Sequence, residues 1–162
     1  MKFAADGMLG KPTRWLRILG YDVKYSNRID DDELIALSMK EKRILLTRDL
    51  QLYRRATAKG IETFYLEGET SEEKLAQLAK RYSMNIQIDM KKSRCPKCNA
   101  LVKPVPREKL AETVEKSTFE HYSEFWQCSK CGQIYWQGAH WTRIKKSLET
   151  ARTILQKQEK ER

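Results

Sequence analysis

Four cysteines and a small set of acids are the residues whose types and spacing could do chemistry in this chain. Cys95-Pro-Lys-Cys98 and Cys128-Ser-Lys-Cys131 form two CxxC pairs with 29 residues between them. A CxxC turn points two thiolates at one ion and aims backbone N–H groups at the sulfurs. Two such turns complete a closed tetrahedral S4 site, the arrangement of structural zinc. A redox pair usually occurs once, at a helix N-terminus inside a thioredoxin-like sheet, so zinc is the expectation for all four. Four thiolates leave no open position for substrate. A metal module with little core of its own takes much of its folding energy from the ion.

The acids fall at the ends of apolar runs. Asp6 closes "KFAAD" and Asp49 follows "RILLT", while Asp30 to Glu33 form a cluster at a helix start. In a parallel α/β sheet the C-terminal strand ends share one edge, and ligands bind there. If the first and third strands are near neighbours, Asp6 and Asp49 meet on that edge, joined by a third acid from the helix starting near Asp31. Crowded carboxylates repel unless a cation neutralises them, and hard oxygen ligands suit Mg2+ or Mn2+. Such ions activate water and stabilise the oxyanions of a phosphodiester under attack. Each acid also has a plainer reading. Asp30 and Glu33 have capping-box spacing, Asp49 can cap the helix after it, and Asp22, at a strand start after Gly20, reads as structural.

Basic residues accompany both groups. Lys11, Arg14 and Arg17 recur at three-residue steps beside Asp6, and serve either as phosphate contacts or as a solvated helix face. Arg48 adjoins Asp49 and has the stronger claim on phosphate. Lys91, Lys92 and Arg94, with Lys97, Lys103 and Lys130, surround the cysteines. Phe125, Trp126, Tyr135, Trp136 and Trp141 interleave with them. These aromatics either stack on unpaired bases or pack the cysteine module against the rest. His121 and His140 are the two histidines, and neither has a defined role.

Charge supports a polyanion. Residues 1–90 hold 16 Lys/Arg against 14 Asp/Glu, and residues 91–162 hold 16 against 8. A basic second part beside a nearly neutral, acid-clustered first part fits RNA or DNA as partner. Both present phosphates, so charge alone does not separate them.

The elements that must position these residues alternate. "KFAAD", "DVKYS", "RILLT" and "ETFYL" read as strands. Between and after them, helices run from about Pro12 to Leu19, over "DDDELIALSMKEK", over "LQLYRRATAKG" and over "SEEKLAQLAKRY". Pro12 suits a first turn, Gly20 a helix end and Ser71 an N-cap. The β-α-β-α order implies α/β architecture with a mostly parallel sheet. Pro104 and Pro106 break the chain beyond Met90. A helix-like segment covers about 107–117, and a final helix runs from about Thr142 with Ile144, Leu148, Ala151 and Leu155 on one face. Its tail is expected to be solvated past about 157. The expected division is 1–90, 91–141 and 142–162. With no run of 18 or more apolar residues, no membrane span is expected, and the N-terminus lacks a signal-like core, which points to the cytoplasm.

"ADGMLGKPTRWLRILGYD", "DDELIAL", "ILLTRDLQL", the two CxxC pairs and "YWQGAHWTRI", in this order, resemble the Mut-seven carboxy-terminal RNase domain family over roughly residues 1–146. The resemblance implies a PIN-like three-layer α/β/α fold, a small C-terminal zinc ribbon with a terminal helix, and divalent-metal-dependent endoribonuclease activity. Carried over residue by residue, it makes Asp6, Asp31 and Asp49 the Mg2+ or Mn2+ ligands. Pro12 stands where the family leads one to expect an aliphatic residue, and no fourth acid of a PIN-like site is placed. The expectation is therefore a ribonuclease cutting single-stranded or loop RNA. Its rival is a non-catalytic zinc-ribbon RNA-binding protein on the ribosome or another ribonucleoprotein.

Overall fold

Phe3, Ala4 and Ala5 are all fully buried along β1 (Lys2–Ala5). Successive side chains of a strand point to opposite faces, so this strand needs cover above and below. The computed structural model, which describes residues 1–161, supplies it. β1 lies between β2 (Asp22–Tyr25) and β3 (Ile44–Thr47), with β4 (Thr63–Tyr65) beyond β3. Every pairing in this sheet is parallel.

Phe3, Ala5, Val23 and Leu46 face one apolar layer, built from α1 (Gly10–Ile18) and α4 (Ser71–Tyr82). Ala4 and Leu45 face the other, formed by α2 (Asp31–Glu41) and α3 (Leu50–Ala58). The chain is thus mixed α/β, with helices on both faces of a parallel sheet. Gly20 follows α1 at φ +99°, as its place after the helix implies, and a Cβ there would stand 3.0 Å from the Lys92 carbonyl oxygen. The N-cap of α4 is Thr70 rather than the expected Ser71. Thr70 has the extended backbone a cap requires, and Glu73 completes its capping box.

The second part carries an antiparallel sheet, β5 (Val102–Val105), β6 (Phe125–Cys128) and β7 (Ile134–Tyr135), in that order. The expected helix over 107–117 is instead a 3-10 turn at Arg107–Leu110. It closes where Thr113 and Val114 donate to the Leu110 carbonyl, and α5 (Lys116–His121) follows. The last helix, α6 (Ala139–Lys160), starts before Thr142 and continues past 157, where Glu159 and Lys160 are exposed on a chain that is still helical. Ile144, Leu148 and Ala151 join the core of α1 and α4, which anchors the helix while its polar end extends outward. No helix among the described residues is long and apolar enough to cross a membrane.

The cysteine-bearing part docks on edge strand β2. Val23 N–H donates to Asn99 Oδ1 at 3.0 Å, and Asn99 Nδ2 donates to Asp22 Oδ1 at 2.8 Å. An exposed sheet edge is a liability, and here the turn after Cys98 covers it.

Candidate functional site

β1 and β3 are direct neighbours. The chain leaves β1 toward β2 on one side and later returns to β3 on the other, so the strand order reverses between them. In open α/β sheets ligands bind outside the carboxyl ends of the strands at such a switch point. Asp6 follows β1 there, Thr47 ends β3, and Arg48 and Asp49 follow it. Asp6 is 7% exposed. Its Oδ1 accepts from Met8 N–H at 2.8 Å, and its Oδ2 accepts from the Thr47 hydroxyl and from Arg48 N–H at 3.2 Å. The same Thr47 oxygen accepts from Asp49 N–H at 2.9 Å. Thr47, which nothing but its place at a strand end singled out, therefore links the two acids.

Asp49 is the N-cap of α3. Its Oδ1 accepts from Gln51 N–H at 2.8 Å and Leu52 N–H at 3.2 Å, while Oδ2 has no hydrogen-bond partner among the described residues. One carboxylate oxygen caps and the other is free, so the capping and ligand readings are compatible. Asp30 and Glu33 form the capping box their spacing suggests. Asp31 lies one residue on, 3.7 Å from Arg55 Nη1, and Arg55 also pairs with Asp32. Asp6, Asp31 and Asp49 do not close into a group of three ligand atoms. Among the described residues the cysteines are the one such group.

The basic residues divide. Lys11 and Arg14 are exposed on α1, as are Lys91 and Lys92 beyond it. Arg48 is half-buried and pairs with no carboxylate among the described residues. Lys74 of α4 was not singled out from sequence. Burial, and then the Arg48 charge, hold its ammonium below the ordinary lysine value.

Arg17 is a correction. It is 5% exposed, not solvated. Its Nε and Nη2 donate to the Val23 carbonyl at 3.0 and 2.8 Å, and Nη1 donates to the Pro96 carbonyl at 3.0 Å. A helix turns about 100° per residue, so each three-residue step falls roughly 60° short of a full turn. Two steps from Lys11 carry Arg17 around to the buried side. It joins α1, β2 and the first cysteine turn instead of meeting phosphate. Arg94, also proposed for phosphate, is partly buried and donates Nη1 to the Asn99 carbonyl at 2.9 Å.

The four sulfurs lie within 4.8 Å of one another, with Cys95–Cys131 at 3.7 Å and Cys98–Cys128 at 3.3 Å. A tetrahedral zinc with Zn–S of about 2.3 Å places its sulfurs about 3.8 Å apart, so the donor set fits that ion by chemistry and spacing. Burial pushes the Cys95 thiol up to about 11. Burial also acts on Cys128, but N–H groups of Cys131 and Lys130 aimed at its sulfur bring it down to about 6.

The aromatics also divide. Phe125 and Trp126 are buried in the small cores of the cysteine-bearing part. Tyr135, Trp136 and Trp141 line a cleft of about 710 Å3, together with Lys11, Arg14 and Trp15 of α1 and His140 of α6.

The sequence model of the family described as Mut7-C RNAse domain matches residues 1–148. No curated protein and no solved structure matches this chain.

Proposed function

Because the chain belongs to the Mut7-C RNAse domain family, we propose that it is a divalent-metal-dependent endoribonuclease that hydrolyses single-stranded or loop RNA. The observation that carries this reading is the linkage of Asp6 and Asp49 through Thr47 at the switch point of the sheet. In it, the first part is a PIN-like domain and the cysteine-bearing part a zinc ribbon that grips RNA, and the protein works in the cytoplasm.

Asp6, Asp49 and, from α2, Asp31 would hold Mg2+ or Mn2+. The donor chemistry fits, since all three offer carboxylate oxygen and Asp49 Oδ2 is uncommitted. A bound ion supplies a more acidic water and charge to offset developing oxyanions. The chain's own work is orientation. Thr47 and the amides of Met8 and Arg48 fix both oxygens of Asp6, and the α3 cap fixes Asp49. Arg48 and Lys74 place positive charge at the same edge, suited to a phosphate that must approach acids.

The rival reading, a non-catalytic RNA-binding protein on the ribosome or another ribonucleoprotein, is favoured by the Asp31–Arg55 pair, which turns an expected ligand toward a cation. Incubation of labelled unstructured RNA and single-stranded DNA with Mn2+ separates the two. The ribonuclease reading expects RNA cleavage by the parent and none by Asp6→Asn. Tight binding without cleavage by either protein supports the rival.

A further inference from the structure

The cleft of about 710 Å3 lies between α1, the cysteine-bearing part and the first turns of α6. Its size is that of a ligand site, for which roughly 300–1,000 Å3 is usual. Four fixed cations line it, Lys11, Arg14, Arg94 and Arg143, and no carboxylate does. None of the four forms an ion pair among the described residues. A concave wall of one sign focuses its field and raises the local concentration of the opposite charge. α6 also begins in this wall, with Gly138 as a cap that has no side chain to offer, so the helix end adds to the same sign.

Charge is half of the lining. Trp15, Tyr135, Trp136 and Trp141 share the cleft with these cations, and Lys11 Nζ stands 5.4 Å from the centre of the Trp15 ring. An acidic peptide would satisfy the cations but gain little from four flat rings. An apolar ligand would use the rings and leave the cations unmatched. An unpaired nucleotide strand presents both, a phosphate at every step and an aromatic face on every base.

We propose that this cleft is a binding subsite for unpaired RNA, with the exposed Arg14 and Arg143 holding phosphates and the half-buried Tyr135 and Trp141 rings receiving bases. The proposal deepens, and rests on, the reading of RNA as substrate. Lys11, five residues after Asp6 in the chain, also lines the subsite. The cleft thus selects RNA whose bases are free. Duplex RNA, with its bases stacked away, is excluded. The "YWQGAHWTRI" segment supplies one wall of this subsite.

The test uses the full zinc-loaded chain carrying Asp6→Asn, a fluorescein-labelled unstructured 12-nucleotide RNA, and anisotropy over a range of salt. Arg14 and Arg143 are exposed, so the double variant Arg14→Glu/Arg143→Glu should fold, which far-UV circular dichroism verifies. It should bind at least tenfold more weakly, with a slope of log K on log salt shallower by about 1.4, roughly 0.7 per lost phosphate contact. The charge-matched control Lys40→Glu/Lys59→Glu, exposed and outside the cleft, should bind within about threefold of the parent. RNA should quench tryptophan emission in the parent, and a duplex of the same sequence should not. Equal affinity of the Arg14/Arg143 variant and the parent, equal loss in the control, or absence of RNA binding altogether overturns the subsite. Failure of the ribonuclease reading looks different. There, the chain without Asp6→Asn cleaves nothing while the cleft variant still loses RNA affinity.

Discussion

Thr47 donates its hydroxyl to Asp6 and receives the Asp49 amide on the same oxygen, so one buried side chain at the end of β3 ties the residue after β1 to the N-cap of α3. The contact exists because β1 and β3 pair directly and both run toward this edge. It orients Asp6 and seats Asp49 at the start of α3 at once.

Replacing Thr47 by Val keeps the strand's shape and removes the hydroxyl. The Asp49 amide then loses its acceptor, at a cost of about 1–2 kcal/mol in stability. Manganese-dependent RNA cleavage should fall about tenfold through loss of positioning, against a parent rate set by the acids. Thr47→Ser restores the hydroxyl and should return most of both. Urea denaturation and cleavage rates, measured on all three proteins, check this.

Arg17 predicts stability rather than affinity. Arg17→Met leaves the Val23 and Pro96 carbonyls without their shared donor, and charged donors of this kind contribute about 3 kcal/mol when buried. The melting temperature should drop clearly. RNA affinity, measured below that temperature, should stay within about twofold of the parent, since the guanidinium is buried and three of its five N–H groups are committed to two carbonyls.

Asp22 predicts a pH dependence. Burial works against its charged form. Its bonds to Arg43 and Asn99, and the Arg43 charge, outweigh burial and hold the carboxyl below its ordinary value. A folded pKa lower than the unfolded one stabilises at pH above the unfolded value, about 3.9, and that stability disappears as pH falls through the folded value. Asp22→Asn should therefore be less stable than the parent at pH 7, with the gap closing below about pH 4. Denaturation midpoints between pH 3 and 7 measure it.

The cysteine site predicts metal content and its pH response. Elemental analysis should find about one zinc per chain, and Cys128→Ser should remove it, because three thiolates do not close the site. Zinc binding displaces protons. Affinity should therefore weaken as pH falls from 7 to 5, through the value near 6 of Cys128. Competition against a chromophoric chelator at each pH reads this directly.

Much of this site was legible because local chemistry wrote it. Apolar runs ending in acids placed Asp6 and Asp49 at strand ends, and CxxC spacing identified a four-sulfur cluster before any distance was known. The adjacency of β1 and β3 was legible only as a condition, since strand order is set by packing across the whole sheet. Thr47 stayed hidden because a strand-end threonine gives no signal until its neighbour is known. Arg17 misled because a three-residue step looks like one helix face over two positions and drifts off it by the third. The start of α6 at Ala139 depends on Gly138, whose carbonyl accepts from the Thr142 N–H, and this cap does not show in the periodicity from Thr142 onward.

Asp49→Asn tests the central claim most directly, because Asn caps a helix as well as Asp does while removing a charged metal ligand. The measurement is single-turnover cleavage of labelled unstructured RNA at saturating Mn2+, with a melting curve of the same sample. A metal-holding Asp49 predicts a rate at least about 100-fold lower with the melting temperature nearly unchanged. An unchanged rate with a folded protein would contradict the account and leave Asp49 a helix cap alone.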